Sequence, residues 1–261
     1  MGELVKVVAT IEARMTSSRL PGKVLKDLSG KPMLQWIIER VMPSKNIDEI
    51  AIATSDKSSD DPIVELSRRV NVPCCRGNLE DVLERLTMCA ESRNADLIVR
   101  LTGDNPLCHY GLIDSMVECF LNSDYDFLCT TFMAFSKVWN VPRTFPLGLG
   151  VAIFPLAILK DVNRLAVDPN ERENTVKYII DRPDKYRLGA FKAEGKFAKL
   201  NRPELRLTVD TEEDFEIMEQ VFNSLSKEDI YFSVDESIEF LDNNPEIRDA
   251  NSDVKQKWLC E

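Results

Sequence analysis

The sequence predicts an α/β fold: a doubly wound, mostly parallel sheet with helices on both faces, carrying an inserted arm or lid. Two observations predict the layered core. Short, nearly continuous apolar runs, as expected of strands buried on both faces, alternate with stretches whose apolar residues recur at helical spacing. With 261 residues, 44% of them hydrophobic and 30% charged, the chain is also long enough to bury one large core. Residues 1–261 are therefore read as one domain.

Leu4 to Ile11 (LVKVVATI) is β-branched and reads as the first strand. A loop follows, and then Met33, Leu34, Ile37, Ile38 and Val41 mark a helix with Pro32 at its first turn. Glu49 to Thr54 is a second strand, and Asp60, Asp61 and Pro62 open a helix faced by Ile63, Leu66 and Val70. Val72 to Cys75 is a short strand, and Leu79, Val82, Leu83 and Leu86 give the next helix. Ala95 to Leu101 is a buried strand ending in TGDNP, followed by a helix through Leu112, Ile113, Met116, Val117 and Phe120. Residues 129–150 break the rhythm, with aromatics (Phe132, Phe135, Trp139, Phe145) and two prolines. They read as an excursion suited to covering a substrate or packing on a second subunit, or as an ordered surface loop. Beyond it a helix is expected over 171–180 and strands over 186–192 and 205–210. A helix through Phe215, Met218 and Phe222 follows, then a polar terminal helix with a loose tail over 230–261.

Charge and cysteine content exclude several classes. A formal net charge of -11 argues against nucleic acid, whose phosphates require a basic stripe. Seven cysteines show no CxxC spacing, which favours a reducing cytoplasm over a disulfide framework. No signal peptide is expected from MGELVKVVAT, and the longest uncharged run, Thr144 to Leu159, is broken by Pro146 and Pro155, so no membrane span is expected.

Against this acidic background, EARMTSSRLPGK (residues 12–23) is unusual. Arg14, Arg19 and Lys23 share one loop with Ser17, Ser18 and a Pro-Gly turn, and no carboxylate follows Glu12. Guanidinium forks and an ammonium suit phosphate oxygens, so the loop is a candidate grip for a nucleoside triphosphate; a solvated basic loop is the alternative. It is neither a Walker loop nor GxGxxG. In RLTGDNPL (100–107), Asp104 ends a strand beside Gly103 and could hold Mg²⁺, or could only bond its own turn. In LTVDTEED (207–214), Asp210 is a possible second carboxylate, or Asp210 or Thr211 caps the next helix. Arg76, Gly77, Asn78 and Asp81 form a fourth cluster with one cation, and His109, the only histidine, reads as structural. In a parallel sheet, the loops at 12–23, 76–81 and 102–106 would converge on the rim where ligands sit.

Taken in order, ARMTSSRLPGK, ATSDKSSDDPI, RGNLEDVLERL, RLTGDNPL and LRLTVDTEEDF resemble a cytidylyltransferase family. It includes spore coat polysaccharide biosynthesis protein F and is similar to acylneuraminate and 3-deoxy-manno-octulosonate cytidylyltransferases. The resemblance is dense over 4–130, good over 200–225 and weaker between. It implies a fold of the nucleotide-diphospho-sugar transferase type, and that CTP reacts with an acceptor oxygen to give a CMP-linked sugar or sugar-acid and pyrophosphate, for a surface polysaccharide or glycan, with Mg²⁺ as cofactor and a homodimer as the assembly. By position it implies a triphosphate loop of Ala13, Arg14, Ser17, Ser18, Arg19 and Lys23, with Arg14, Arg19, Lys23 and Asp104 catalytic. Asp104 and Asp210 match metal ligands, and Arg76, Gly77, Asp81, Arg100, Thr102 and Gly103 match the nucleotide pocket.

The departures fall elsewhere. Thr16 stands where relatives carry glycine, Gly150 and Ala152 replace two acids near the acceptor site, and Asn174 replaces a histidine. They point to an unusual acceptor, leaving open a phosphonate or polyol phosphate, or a protein that binds nucleotide without turnover.

Overall fold

The computed structural model describes residues 5–130, 138–139, 141–227 and 229–256. Nine strands and ten helices alternate along these residues. The first half contains β1 (Val7–Glu12), β2 (Asp27–Leu28), β3 (Lys31–Pro32), α1 (Met33–Val41), β4 (Glu49–Ser55) and α2 (Asp61–Arg69). It continues through β5 (Cys74–Gly77), α3 (Val82–Ser92), β6 (Leu97–Thr102), α4 (Tyr110–Leu121) and β7 (Phe127–Thr130). The second half contains β8 (Ala152–Pro155), α5 (Leu156–Leu165), α6 (Pro169–Glu173), α7 (Lys177–Ile180), β9 (Leu188–Phe191), α8 (Glu212–Leu225), α9 (Val234–Asn243) and α10 (Pro245–Arg248).

Seven strands form one sheet in the order β5-β4-β1-β6-β8-β7-β9, and β2 and β3 pair in a separate small ribbon. β1 is parallel to β4 on one side and to β6 on the other. Successive residues of β1 alternate between two cores. Val7, Ala9 and Ile11 face α1, α2, α4, α8 and α9, while Val8 faces α3, α5 and α7. The doubly wound reading therefore holds. Chain order runs outward from β1 through β4 to β5 and then returns to place β6 on the opposite side, so the strand order reverses at β1/β6. The loops leaving the carboxyl ends of those two strands bound a crevice, the usual ligand position in such sheets.

Some expected elements differ. β8 lies antiparallel to both β6 and β7, and the apolar run 144–159 gave no sign of it because Pro155 ends it after four residues. β7 already holds residues 129 and 130, so the excursion begins after Thr130; residues 131–137 and 140, with Phe132 and Phe135, lie outside the described residues. So does Leu4, the expected start of β1. Phe145 is core, packed near Phe191 and Phe197.

The helix expected over 171–180 is two short ones, because the backbone leaves helical geometry at Asn174 and buries Thr175. Leu79 lies in the turn before α3. Residues 205–210 alternate as a strand should, with Leu205, Leu207 and Val209 buried, yet form only an isolated bridge between Leu147 and Arg206. Their amides go to loops: Leu207 N donates to Leu147 O, and Val209 N to Asp104 O. Within the expected loose tail Asn251 is buried beyond α10, and residues 257–261 lie outside the described residues.

His109 is structural, as expected. Its Nδ1 accepts the Gly111 N–H at 3.0 Å as the N-cap of α4, and burial, with Arg40 adding to it, depresses the imidazole pKa to about 4. The unfolded chain protonates this group near pH 6.5, so between there and pH 4 it binds the extra proton and stability falls as pH falls. His109→Asn keeps a capping side chain without titrating. The drop in melting temperature between pH 7 and pH 4.5 is expected to be smaller in this variant than in the parent, by calorimetry at both pH values.

Candidate active site

The first loop is built before it is charged. Gly22, at φ 74°, makes the turn that lets its N–H return to Met15 O at 2.8 Å. Asp60, fully buried at the start of α2, accepts the Met15 N–H at 2.8 Å and bonds Thr54 and Ser55 at the end of β4. The loop is thus stitched to its own turn and to the sheet. Gly103, after β6, donates its N–H to Glu12 O at 2.8 Å, and an added Cβ would lie 3.1 Å from both Glu12 O and Ala13 Cβ. This close approach brings the Thr-Gly-Asp turn against the end of β1.

Lys23 then reaches across the crevice. Its Nζ lies 3.1 Å from Asp104 Oδ2, 2.9 Å from Asp210 Oδ1 and 2.7 Å from Val209 O. Arg19 meets the other oxygen of Asp210 at 2.9 Å. Burial disfavours the Lys23 charge, but Asp104 and Asp210 outweigh it and hold the ammonium above its usual range. Burial likewise works against the Asp210 carboxylate, and Lys23, with Arg19 and Arg206, outweighs it and holds that carboxyl below its usual range. Lys23 and Asp210 are therefore both charged at neutral pH. Thr102 Oγ1 donates to Asp104 Oδ1 at 2.6 Å, and Asn105 Nδ2 donates to Thr102 Oγ1 at 2.8 Å, which orients Asp104.

These side chains line a cavity of about 560 Å³. Ala13, Arg14, Ser17, Ser18, Arg19 and Lys23 line it from the first loop, and Arg100, Thr102, Gly103 and Asp104 from β6 and its turn. Asp210 closes one side. Arg100 is fully engaged by Glu12, Nε to Oε1 at 2.9 Å and Nη2 to Oε2 at 2.6 Å, while Arg14 lies 3.7 Å from Glu173. The far wall carries Leu147, Gly150, Val151, Ala152 and Val176, with Asn170, Glu173 and Asn174 beside them.

Three expected pocket residues stand outside this cavity. Arg76 pairs with Asp61 at 2.6 Å and donates to the carbonyls of Ser55 and Lys57. Gly77 packs on Arg85, where a Cβ would lie 3.1 Å from its Cβ. Asp81 caps α3 through the Glu84 N–H at 2.9 Å and binds Arg172 at 2.6 Å. The cavity also includes residues that sequence reasoning did not single out for the site: Arg85, Asn105, Thr208 and Gln256. For Thr208 the signal was present, two positions before Asp210 in the same motif; Gln256 gave none.

Comparison with known proteins accords with this geometry. Residues 8–238 match the family model described as cytidylyltransferase. The chain belongs to the cytidylyltransferase family. It is therefore a nucleotidyltransferase. It is 32% identical to spore coat polysaccharide biosynthesis protein SpsF of Bacillus subtilis, over 92% of this chain and 95% of that protein. An uncharacterized protein of Methanocaldococcus jannaschii is 35% identical over 97% of each chain. Among solved structures, a cytidylyltransferase from Leptospira borgpetersenii superposes with TM-score 0.85 at 30% identity, covering 98% of this chain and 100% of that one. A CMP:2-keto-3-deoxy-manno-octonic acid synthetase complexed with CTP shares the fold, with TM-score 0.61 at 20% identity over 83% of this chain and 98% of that one.

For this cytidylyltransferase the placement of Asp81 gives a direct test. Asp81→Ala removes the cap of α3 and the partner of Arg172, which should lower stability by about 1–3 kcal/mol. CTP affinity is expected to stay at the parent value, as read by denaturation and by calorimetric titration on the same preparations.

Proposed function

We propose that the chain transfers CMP from CTP to an oxygen of a sugar or sugar-acid, releasing pyrophosphate, and that Mg²⁺ is its cofactor. One observation carries this reading: Arg19 and Lys23 meet Asp104 and Asp210 around a single point in a cavity whose loop also presents Arg14, Ser17 and Ser18. Cations for a triphosphate and hard oxygen donors for a divalent ion are there side by side.

The chemistry needs positioning and charge more than proton transfer. The acceptor oxygen attacks the α-phosphorus; as that bond forms, the bond to the bridging oxygen breaks and its electron pair leaves with pyrophosphate. Arg14 and Arg19 bind the triphosphate, and Lys23 neutralises the charge growing on the leaving group. An acceptor already anionic at its attacking oxygen needs no general base.

Two carboxylates that reach one ammonium fit Mg²⁺, which is commonly held by one or two carboxylates plus substrate phosphates. No cluster of three metal-ligating side chains occurs among the described residues, so phosphate oxygens and water complete the set in this reading. Bound there, Mg²⁺ supplies charge that stabilises the phosphate oxygens during transfer.

The activated product would serve surface polysaccharide or glycan synthesis, and the protein would work in the cytoplasm as a homodimer. Among the described residues no helix is long and apolar enough to cross a membrane. A second reading replaces the sugar by a phosphonate or polyol phosphate; the uncharged wall at Gly150, Val151 and Ala152 favours it.

Pyrophosphate release with CTP and Mg²⁺, measured against acidic sugars, polyol phosphates and phosphonates, separates the two acceptor classes. Thermal shift with CTP, UTP, ATP and GTP tests the nucleotide, with CTP expected to stabilise most. Asp104→Asn keeps shape and removes charge, and it is expected to lower Mg²⁺-dependent turnover about 10²–10³-fold with the fold intact. Turnover near the parent rate would reduce Asp104 to a turn residue.

A further inference from the structure

Asp210 has three cationic partners, and they are not equivalent. Lys23 Nζ lies 2.9 Å from Oδ1, and Arg19 and Arg206 each place Nη2 2.9 Å from Oδ2. The Arg19 side chain is 32% exposed, and its Nη1 donates to the backbone carbonyl of Lys255 at 3.3 Å. Arg206 is the opposite case. Its side chain is 9% exposed, and its Nε and Nη2 fork the carboxylate of Asp214 at 2.8 and 2.9 Å. The Asp214 side chain is fully buried and also accepts the Asp210 N–H at 2.9 Å and the Thr211 N–H at 3.1 Å.

The end of the chain completes this frame. Asn251, buried, donates through Nδ2 to Asp214 Oδ1 at 2.9 Å and to Arg206 O at 3.1 Å. Gln256 Oε1 accepts from Arg206 Nη1, and Gln256 itself lines the cavity.

We infer that Arg206 is a positioning residue for nucleotidyl transfer: clamped by Asp214 and braced by residues 251–256, it holds the Asp210 carboxylate in place while Arg19 and Lys23 turn to the nucleotide. The inference rests on the reading of Asp210 as a metal ligand. Arg19 and Lys23 cannot serve the triphosphate and stay fully engaged with Asp210. When they turn to phosphate, the carboxylate loses two of its three cationic partners, and the one that remains is anchored by a buried fork. Partners that orient a ligating carboxylate typically contribute 10–100-fold to metal affinity or activity. A capping role for Asp214 does not account for the geometry, because Thr211 and Asp214 already form a reciprocal capping box without Arg206.

The test is Arg206→Lys, which keeps the charge and loses the fork. Mn²⁺ binding is read by electron paramagnetic resonance in the presence of CTP whose α,β-bridging oxygen is replaced by methylene, so that no turnover occurs. Affinity is expected to fall about 10–100-fold, and added Mg²⁺ is expected to restore much of the kcat lost with CTP. A variant that binds Mn²⁺ within about twofold of the parent overturns the inference. If Arg206→Lys does not fold, Gln256→Ala decides in its place: a several-fold loss of Mn²⁺ affinity supports the inference, and an unchanged value overturns it. A parent protein showing no nucleotide-dependent Mn²⁺ binding overturns the metal reading itself, and this inference with it.

Discussion

The ammonium of Lys23, seated between the carboxylates of Asp104 and Asp210, joins three parts of the chain that are 81 and 187 residues apart. At about 3 Å and an effective dielectric of about 20, each contact is worth roughly 5 kcal/mol of Coulomb attraction. Desolvating each ion costs several kcal/mol, so the cluster as a whole adds little net stability. Its value is in specificity of place. The ammonium is met from two sides at once, so the loop after β1, the turn after β6 and the segment before α8 keep one mutual arrangement.

The sheet makes that arrangement possible. Parallel β1 and β6 end side by side, and their reversal of strand order opens the crevice that Lys23 crosses. Antiparallel β8, beside β6, brings residues 147–152 to the same rim, so part of the cavity lining comes from the second half of the chain. The cationic loop and the Thr-Gly-Asp turn come from the parallel half, and Asp210 comes from the segment before α8.

The parallel half was readable because its signals are local. The apolar run of β1 and the spacing of Met33, Leu34, Ile37 and Ile38 each report a strand or helix within one window. Arg19 and Lys23 were conspicuous as cations in an acidic chain. Asp104 and Asp210 were conspicuous as acids closing apolar runs. Less visible was anything decided by contact at a distance. The alternation of Leu205, Leu207 and Val209 is that of a strand, but the amides of Leu207 and Val209 found a loop and a turn as partners instead of a sheet edge. Arg76 and Asp81 carry the right charges for a pocket, and only the fold shows them turned to Asp61 and Arg172. The frame of Arg206, Asp214 and Asn251 has no local signature, because its members serve each other across up to 45 residues.

Asp60 shows how the loop after β1 is prepared in advance. A buried carboxylate that bonds the Met15 amide, Thr54 and Ser55 fastens the base of the loop to β4 and α2. Backbone ordering, often a large entropic cost of capturing a flexible polyanion, is thereby met during folding and not at each encounter. In the proposed reaction, substrate arrival would then require only the outer atoms of Arg19 and Lys23 to turn, on a fixed base. On that proposal the loop would be a rigid socket, and discrimination among triphosphates would fall on shape and charge instead of on the ability of the loop to adapt.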